Sequence, residues 1–271
     1  MNRWIAVAVM ALLLIAAGYL LGIVCERWGG AYALILSPSR KLGILLLQFL
    51  LALAAVLTSA GLVAVLLRPL SLGAIAFALS ALALLVPWQV SPATGLLALL
   101  YALAGVAYLV AVERELGQRL KFSAHPVTDS QSALRLACIV IACGSLYLGS
   151  APRIRREGFT IPDTYLEPLA AQMERQVLAS VPQEQRTRAV QEFRVQFQRM
   201  MDGLVEGVLG RHQGLLPFLF VAGVFMSLMT VVNLLAWVPG LVLELLLPLL
   251  AALGVTKTIT ETREVRRLVL A

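Results

Sequence analysis

One carboxyl group, that of Glu244, lies well inside an apolar segment, between Pro239-Gly240 and Pro248. Ionisable groups at membrane depth are costly and by default mark a functional site. Prolines interrupt a helix and free backbone carbonyl groups, which can bind a cation together with a carboxylate. Asn233 adds an uncharged polar group nearby in the sequence. This pattern predicts an ion or proton site at Glu244 and Asn233. The alternative is a glutamate that fixes helix packing or reaches the membrane interface.

The sequence has no pattern typical of an enzyme active site. His125 and His212 lie in hydrophilic stretches and form no metal-binding signature. Asp129, Asp163 and Asp202 also lie outside the apolar segments, which excludes the paired aspartates of an intramembrane protease. Phosphate-loop, zinc-protease and serine-hydrolase motifs are missing from the sequence. We therefore predict a non-enzymatic protein with no catalytic residues, no metal and no other cofactor.

Composition indicates a polytopic membrane protein. Hydrophobic residues make up 60% of the 271 residues, against about 45–50% in soluble domains. Charged residues make up only 14%, where about a quarter is usual. The net charge of +7 comes from single or paired basic residues at the ends of apolar runs, where they anchor helices at lipid headgroups. The predicted partner is thus the lipid bilayer, and nucleic acid is excluded.

Seven segments approach the length of about 20 residues that a transmembrane helix needs. They are residues 4–24, 42–67, 70–86, 93–112, 133–151, 215–237 and 238–255. Ser37-Pro38 and Ser91-Pro92 place a capping hydroxyl before a proline, which predicts a helix start at each. Arg68-Pro69 leaves almost no loop between the second and third segments, which predicts a tight helical hairpin.

The one long hydrophilic stretch, residues 152–213, is predicted to be an extramembrane helical hairpin. Its first helix begins at a capping box, Thr164-Tyr165-Leu166-Glu167, and its second restarts near Pro182. The second helix carries an apolar face with a period close to 3.5, typical of coiled-coil packing. That face consists of Val190, Phe193, Phe197, Met201, Leu204 and Val208.

Three interpretations of this face are open. The two helices pack on each other, the face binds a partner or a second copy of the chain, or it lies on the membrane surface. Residues 152–213 hold nine Arg against eight acidic residues. A helix held by anionic lipid should be clearly basic, so the charge disfavours the membrane surface.

Orientation depends on the last segment. If all seven segments cross, the basic residues near the spans divide six against eleven, which puts the hairpin and the basic tail, residues 256–271, in the cytoplasm. If residues 238–255 are re-entrant, the division becomes ten against seven and the hairpin is extracytoplasmic. We favour seven crossings.

Small residues in the spans are candidates for helix packing. Gly18 and Gly22 form a G-x-x-x-G pair, which lets helix backbones approach closely in lipid. Cys25, Cys138 and Cys143 have no metal or redox spacing and are predicted to be small apolar packing residues.

Three strings of the sequence resemble known proteins. LSPSRKLG at 36–43, IPDTYLEP at 161–168 and the tail at 254–270 are similar to uncharacterised polytopic membrane proteins from uncultured bacteria. The similarity covers most of the chain. It implies membrane residence and carries no assigned activity, so it assigns no functional residue.

The sequence thus predicts an all-α polytopic protein of the cell (inner) membrane with six or seven transmembrane helices. Residues 1–151 form five spans, 152–213 the hairpin, 214–255 one or two spans and 256–271 the tail. The leading hypothesis is a scaffold that binds a protein partner, or itself, through the hairpin. The alternative is a small-solute or ion transporter or channel centred on Glu244.

Overall fold

The computed structural model describes residues 3–36, 40–67, 69–88, 90–118, 130–157, 203 and 215–252. Within these ranges every regular element is an α-helix, which confirms the all-α prediction. The helices, in chain order, are α1 (Arg3–Gly29), α2 (Tyr32–Leu36), α3 (Arg40–Leu66), α4 (Leu70–Leu85), α5 (Pro92–Gln118), α6 (Ser132–Glu157), α7 (Leu216–Leu234) and α8 (Val238–Ala252).

Five helical stretches are long and apolar enough to cross a membrane. They are Val7–Gly29, Arg40–Leu66, Pro92–Glu115, Ser132–Ile154 and Pro217–Leu246. Helix α4 is apolar but has only 16 residues, or about 24 Å, less than the hydrocarbon thickness of about 30 Å. The last of the five runs through both α7 and α8. The chain is therefore a multi-pass helical membrane protein, and each predicted apolar segment is mostly helical within the described residues.

Two helices extend beyond the apolar runs that predicted them. Helix α5 continues to Gln118, beyond the predicted segment 93–112, and α6 continues through Pro152 to Glu157. Helical hydrogen bonds do not require apolar side chains, so a helix can pass the membrane boundary. The predicted boundary between the five-span region, residues 1–151, and the hairpin, residues 152–213, therefore falls inside α6.

Helix α1 is the centre of the bundle and packs against α3, α4 and α6. It runs antiparallel to α3, where Trp28 contacts Phe49 edge-on with ring centroids 5.9 Å apart. It is apolar around most of its circumference, as a helix surrounded by others or by lipid must be. Buried residues such as Leu14 and Leu21 place the hydrophobic core around it.

Two neighbours, α4 and α6, run parallel to α1. Gly18 contacts Ser80 of α4, and Gly22, one turn later, contacts Leu84. Gly149 of α6 contacts the backbone of Gly29. At each contact the glycine lacks the Cβ atom that would otherwise keep the two backbones apart.

The hairpin predicted for the second and third segments has the expected short connection but not the expected packing. The connection at Arg68-Pro69 is short, since α3 ends at Leu66 and α4 begins at Leu70. Side-by-side packing of α3 and α4 was the wrong expectation, because α4 packs against α1 and α5 instead. Gly18, Gly73 and Gly105 allow those closer contacts.

The predicted helix start at Ser91-Pro92 is confirmed. Helix α5 begins at Pro92, and the Thr94 backbone N–H donates to Ser91 Oγ at 3.2 Å. In return, the Ser91 backbone N–H donates to Thr94 Oγ1 at 2.8 Å. This reciprocal pair satisfies two N–H groups that have no partner within the helix. The start predicted at Ser37-Pro38 lies outside the described residues.

Helices α7 and α8 pack on different parts of the bundle. Helix α7 lies along α6, and its Phe220 contacts Tyr32 edge-on with ring centroids 5.3 Å apart. Helix α8 contacts α3, where Leu243 lies against Gly61. Tyr32 follows the end of α1 whereas Gly61 is near the end of α3, so α7 runs from one end of the bundle to the other.

Candidate functional site

Glu244 lies on α8 and its side chain is exposed on the outside of the bundle. The preceding residue, Leu243, is 1% exposed and packs on Gly61 of α3. Neighbouring residues of a helix point about 100° apart, so the burial of Leu243 turns Glu244 away from α3. Packing of α8 thus presents this carboxylate on the outer surface.

Asn233 lies in the last turn of α7 and is also exposed. The helix stops after Leu234, and residues 235–237 form a turn in which the Ala236 N–H donates to the Asn233 carbonyl at 3.3 Å. The predicted interruption therefore exists, and it lies just before Pro239. Helix α8 continues through Pro248 to Ala252, so no break occurs at that second proline.

The structure does not bring the two candidate ion-binding residues into contact. No hydrogen bond or ion pair joins Glu244 to Asn233 in the described part of the chain. Gln48, another polar residue of the spans, accepts a hydrogen bond from Arg27 Nη1 at 2.9 Å. The arrangement offers one outward carboxylate on the helix that follows an interruption.

Metal ligation has no candidate among the described residues, which hold no group of three or more His, Cys, Asp or Glu side chains suited to an ion. Cys25, Cys138 and Cys143 are buried free thiols in α1 and α6. Their burial agrees with the predicted packing role. His125, His212 and the three aspartates lie outside the described residues.

Buried hydroxyl groups join α1, α4 and α5. Ser80 Oγ lies 2.9 Å from the Leu14 carbonyl oxygen and 3.1 Å from the Tyr101 hydroxyl. A carbonyl can only accept, so Ser80 donates to Leu14, and the Tyr101 hydroxyl must then donate to Ser80. Ser80 and Tyr101 are each fully buried. Their hydrogen-bonding capacity is therefore used between helices.

The same arrangement occurs where α6 crosses α1. Ser145 Oγ donates to the Cys25 carbonyl and lies against Gly29, as Ser80 donates to Leu14 and lies against Gly18. In both cases the accepting carbonyl is four residues before the glycine. A glycine has no side chain to cover that carbonyl, so a serine of the neighbouring helix can reach it. Gly18 and Gly22 thus lie at the α1–α4 contact.

A third polar contact ties α6 to α3 and α5. Gln131, just before α6, donates from Nε2 to the Leu57 carbonyl at 2.9 Å and hydrogen-bonds to Tyr108. These residues and the two serines were missed at the sequence level. The available signal was an isolated polar residue in or beside an apolar segment, because such residues hydrogen-bond between helices in lipid.

The predicted interaction face lies outside the described residues. Its first four residues lie in the range 158–202 and its last two in the range 204–214: Val190, Phe193, Phe197, Met201, Leu204 and Val208. The described helices before and after residues 158–214, α6 and α7, pack against each other. Gly149 contacts Gly29 and Phe220 contacts Tyr32, so the flanking ends lie at the same end of the bundle.

Comparison with known proteins found no similar protein. No protein-family model matches the chain, no curated protein matches it, and no solved structure matches the fold. Function therefore rests on the residues and contacts described above.

Proposed function

We propose that this chain is a non-enzymatic scaffold of the cell (inner) membrane that binds a protein partner, or a second copy of itself, through residues 152–213. The observation that carries the proposal is the use of the buried polar groups in the bundle. Ser80, Ser145 and Gln131 each donate to a backbone carbonyl of another helix. Polar groups used in this way stabilise a bundle, as a membrane anchor for an interaction segment requires.

The geometry of α6 and α7 supports this role. These two helices pack against each other, and their ends that flank residues 158–214 lie beside Gly29 and Tyr32. A hydrophilic stretch whose two flanking ends lie at one end of a bundle begins and ends on one side of the membrane. Its apolar face from Val190 to Val208 is the surface that we assign to the partner.

The proposed number of crossings is six or seven. Helix α4 adds a sixth to the five long spans, because it lies parallel to α1 at Gly18 and Gly22 and antiparallel to α5. Helix α8 adds the seventh if the tail returns to the side that holds residues 158–214.

Replacing Phe193 and Phe197 together with Asp should abolish partner capture and self-association, because two charges would then have to be buried in the apolar face. The measurement is crosslinking of the full chain in membranes, followed by identification of the crosslinked species. Membrane insertion should be unchanged, since neither residue lies in a span.

A matched control introduces the same charges off the apolar face, by Gln191→Asp together with Gln198→Asp. These positions are each about 100° around a helix from the face, so crosslinking should persist. Equal crosslinking by wild type and by the double phenylalanine variant would contradict the proposal.

One observation favours a second candidate function, a small-solute or ion transporter or channel. The helix is interrupted at residues 235–237, between Asn233 and Glu244, and interrupted helices are common at transport sites. If this candidate is right, proteoliposomes should show pH-dependent cation flux that is lost in Glu244→Gln. Glu26→Gln is the control, since Glu26 is also exposed but lies on α1. Equal flux in wild type and Glu244→Gln would exclude Glu244 as the ion site.

A further inference from the structure

Arg27 is exposed on the outside of α1 and contacts α3 through one hydrogen bond. Its Nη1 donates to Gln48 Oε1 at 2.9 Å, and Gln48 lies on α3 within the apolar span Arg40–Leu66. A guanidinium has five N–H donors, so the other four have no partner within the described residues. These donors are therefore open to a ligand from outside the bundle.

The guanidinium lies below the level of the basic residues at the start of α3. Arg40 and Lys41 are exposed in the first turn of α3, the position where basic residues contact lipid headgroups. Gln48 follows Arg40 by eight residues, or about 12 Å along the helix axis. Because Arg27 donates to Gln48, its positive charge is held within the hydrocarbon depth of the α3 span. An unpaired charge is costly at that depth and requires an anionic partner.

The bundle ends at two different levels around Arg27. Gly22 contacts Leu84 of α4, which ends one residue later, so α4 stops short of the level of Arg27. Helix α6 also runs parallel to α1, but it continues for eight residues beyond Gly149, its contact with α1, to Glu157. A short helix thins the surrounding bilayer, so lipid headgroups lie lower on the α4 side than on the α6 side. Arg27 is on the helix between these two levels.

The charged groups around Arg27 leave room for an anion. Glu26 is also exposed, but neighbouring residues of a helix point about 100° apart, and no ion pair joins Glu26 to Arg27 in the described part of the chain. Helices α2, α4 and α7, and residues 86–92 between α4 and α5, hold no charged residue. The described side chains that α3 and α6 charge at this end are all basic: Arg40, Lys41 and Arg153. In a membrane, the anionic group nearest to this depth is the phosphate of a phospholipid.

We propose that Arg27, positioned by Gln48, binds the phosphate group of a phospholipid whose headgroup lies below the level of Arg40. A guanidinium binds a phosphate through two parallel hydrogen bonds, and Arg27 has the donors for both. The acyl chains run along exposed apolar residues deeper in the same two helices, Leu20 of α1 and Leu51 of α3. The site requires only that the chain resides in a membrane, and it is independent of the proposed interaction segment.

The test is photocrosslinking of the full chain in proteoliposomes, with a phosphatidylglycerol that carries a diazirine on its headgroup. Mass spectrometry locates the crosslinked residues. Wild type should crosslink at Leu47 and Leu51, which are exposed beside Gln48. It should also crosslink at Lys41, which lies at headgroup level. Arg27→Gln should lower crosslinking at the two leucines about tenfold, the effect of losing one charge-assisted hydrogen bond, and leave that at Lys41 unchanged.

Two further variants separate phosphate binding from a structural role of Arg27. Gln48→Glu keeps the contact with Arg27, but its carboxylate takes the place of the phosphate, so crosslinking at the two leucines should fall as in Arg27→Gln. A merely structural contact between α1 and α3 predicts unchanged crosslinking in Gln48→Glu. Arg114→Gln is the matched control, since it removes an exposed arginine near the end of α5 and should leave crosslinking at the two leucines unchanged.

Excess inorganic phosphate distinguishes a lipid phosphate from free phosphate as the ligand. It should not lower crosslinking at Leu47 and Leu51, because the bilayer holds the lipid beside the site. Loss of crosslinking in inorganic phosphate would assign the site to a soluble anion and overturn the proposal. Equal crosslinking at these leucines by wild type and Arg27→Gln would also overturn it, as expected if another carboxylate of the chain bound the guanidinium.

Discussion

Replacing Gly22 with alanine is expected to lower the free energy of unfolding by about 1–3 kcal/mol, the usual cost of overpacking. The added Cβ would meet the carbonyl oxygen of Leu84 and would lie 2.8 Å from Cγ of Pro87. A backbone carbonyl cannot rotate away, so α1 and α4 would have to separate. That separation also strains the hydrogen bond from Ser80 to Leu14. The measurement is thermal unfolding in detergent, followed by the fluorescence of the buried Trp28 and Trp88.

The control for this prediction is Gly43→Ala. Gly43 lies on α3, and beyond its own turn of helix no atom of the described residues comes within 4 Å of the position of an added Cβ. Alanine favours a helix over glycine by up to about 1 kcal/mol, so this variant should unfold at the same temperature or slightly higher. If Gly22→Ala were as stable as Gly43→Ala, the α1–α4 contact described here would be wrong.

Replacing Gly105 with alanine is expected to have a similar cost, about 1–3 kcal/mol, but one that a second substitution can reduce. The added Cβ would lie 2.6 Å from Cγ of Phe77, a fully buried ring of α4. Here the obstacle is a side chain, so shortening it should relieve the overlap. In a Phe77→Ala background, which removes the whole ring, Gly105→Ala should therefore cost less than it does in the wild type.

A double-mutant cycle measures this compensation. Phe77→Ala by itself should destabilise the protein by about 3–5 kcal/mol, because it leaves a cavity beside Tyr101. The coupling between the two substitutions should be favourable, as expected for residues in contact. The matching pair Gly22→Ala and Leu84→Ala should show no such rescue, since the atom that Gly22 contacts belongs to the backbone. Additive effects at Gly105 and Phe77 would contradict the α4–α5 packing.

The helices of the fold could be predicted from the sequence, but which helices pack against each other could not. Runs of apolar residues locate the five long apolar stretches, and Ser91-Pro92 locates a helix start because its capping bonds are local. Side-by-side contacts leave little trace in such segments, since an apolar side chain suits lipid and protein equally. This is why α4 was expected beside α3 and lies instead beside α1 and α5.

At the candidate sites too, features local to one helix could be predicted, whereas features set by contacts between helices could not. The helix interruption before Pro239 could be predicted, because proline acts on its own helix. That Glu244 faces outward could not, since this depends on Leu243 packing against Gly61 of another helix. Ser80 and Ser145 were overlooked because each is a single hydroxyl, and its importance becomes visible only with a glycine opposite it.

The parallel arrangement of α1 with α6 has a consequence for biosynthesis. Gly29 emerges from the ribosome 120 residues before Gly149, its contact in α6 (149 − 29 = 120). At a synthesis rate of about 5–20 residues per second, Gly149 is made about 6–24 s after Gly29, and this face of α1 lacks α6 during that time. During that time the Cys25 carbonyl lacks the serine that later donates to it. Helix α1 is thus made well before α6 encloses it, and the face around Gly29 depends until then on the lipid or the insertion machinery for cover.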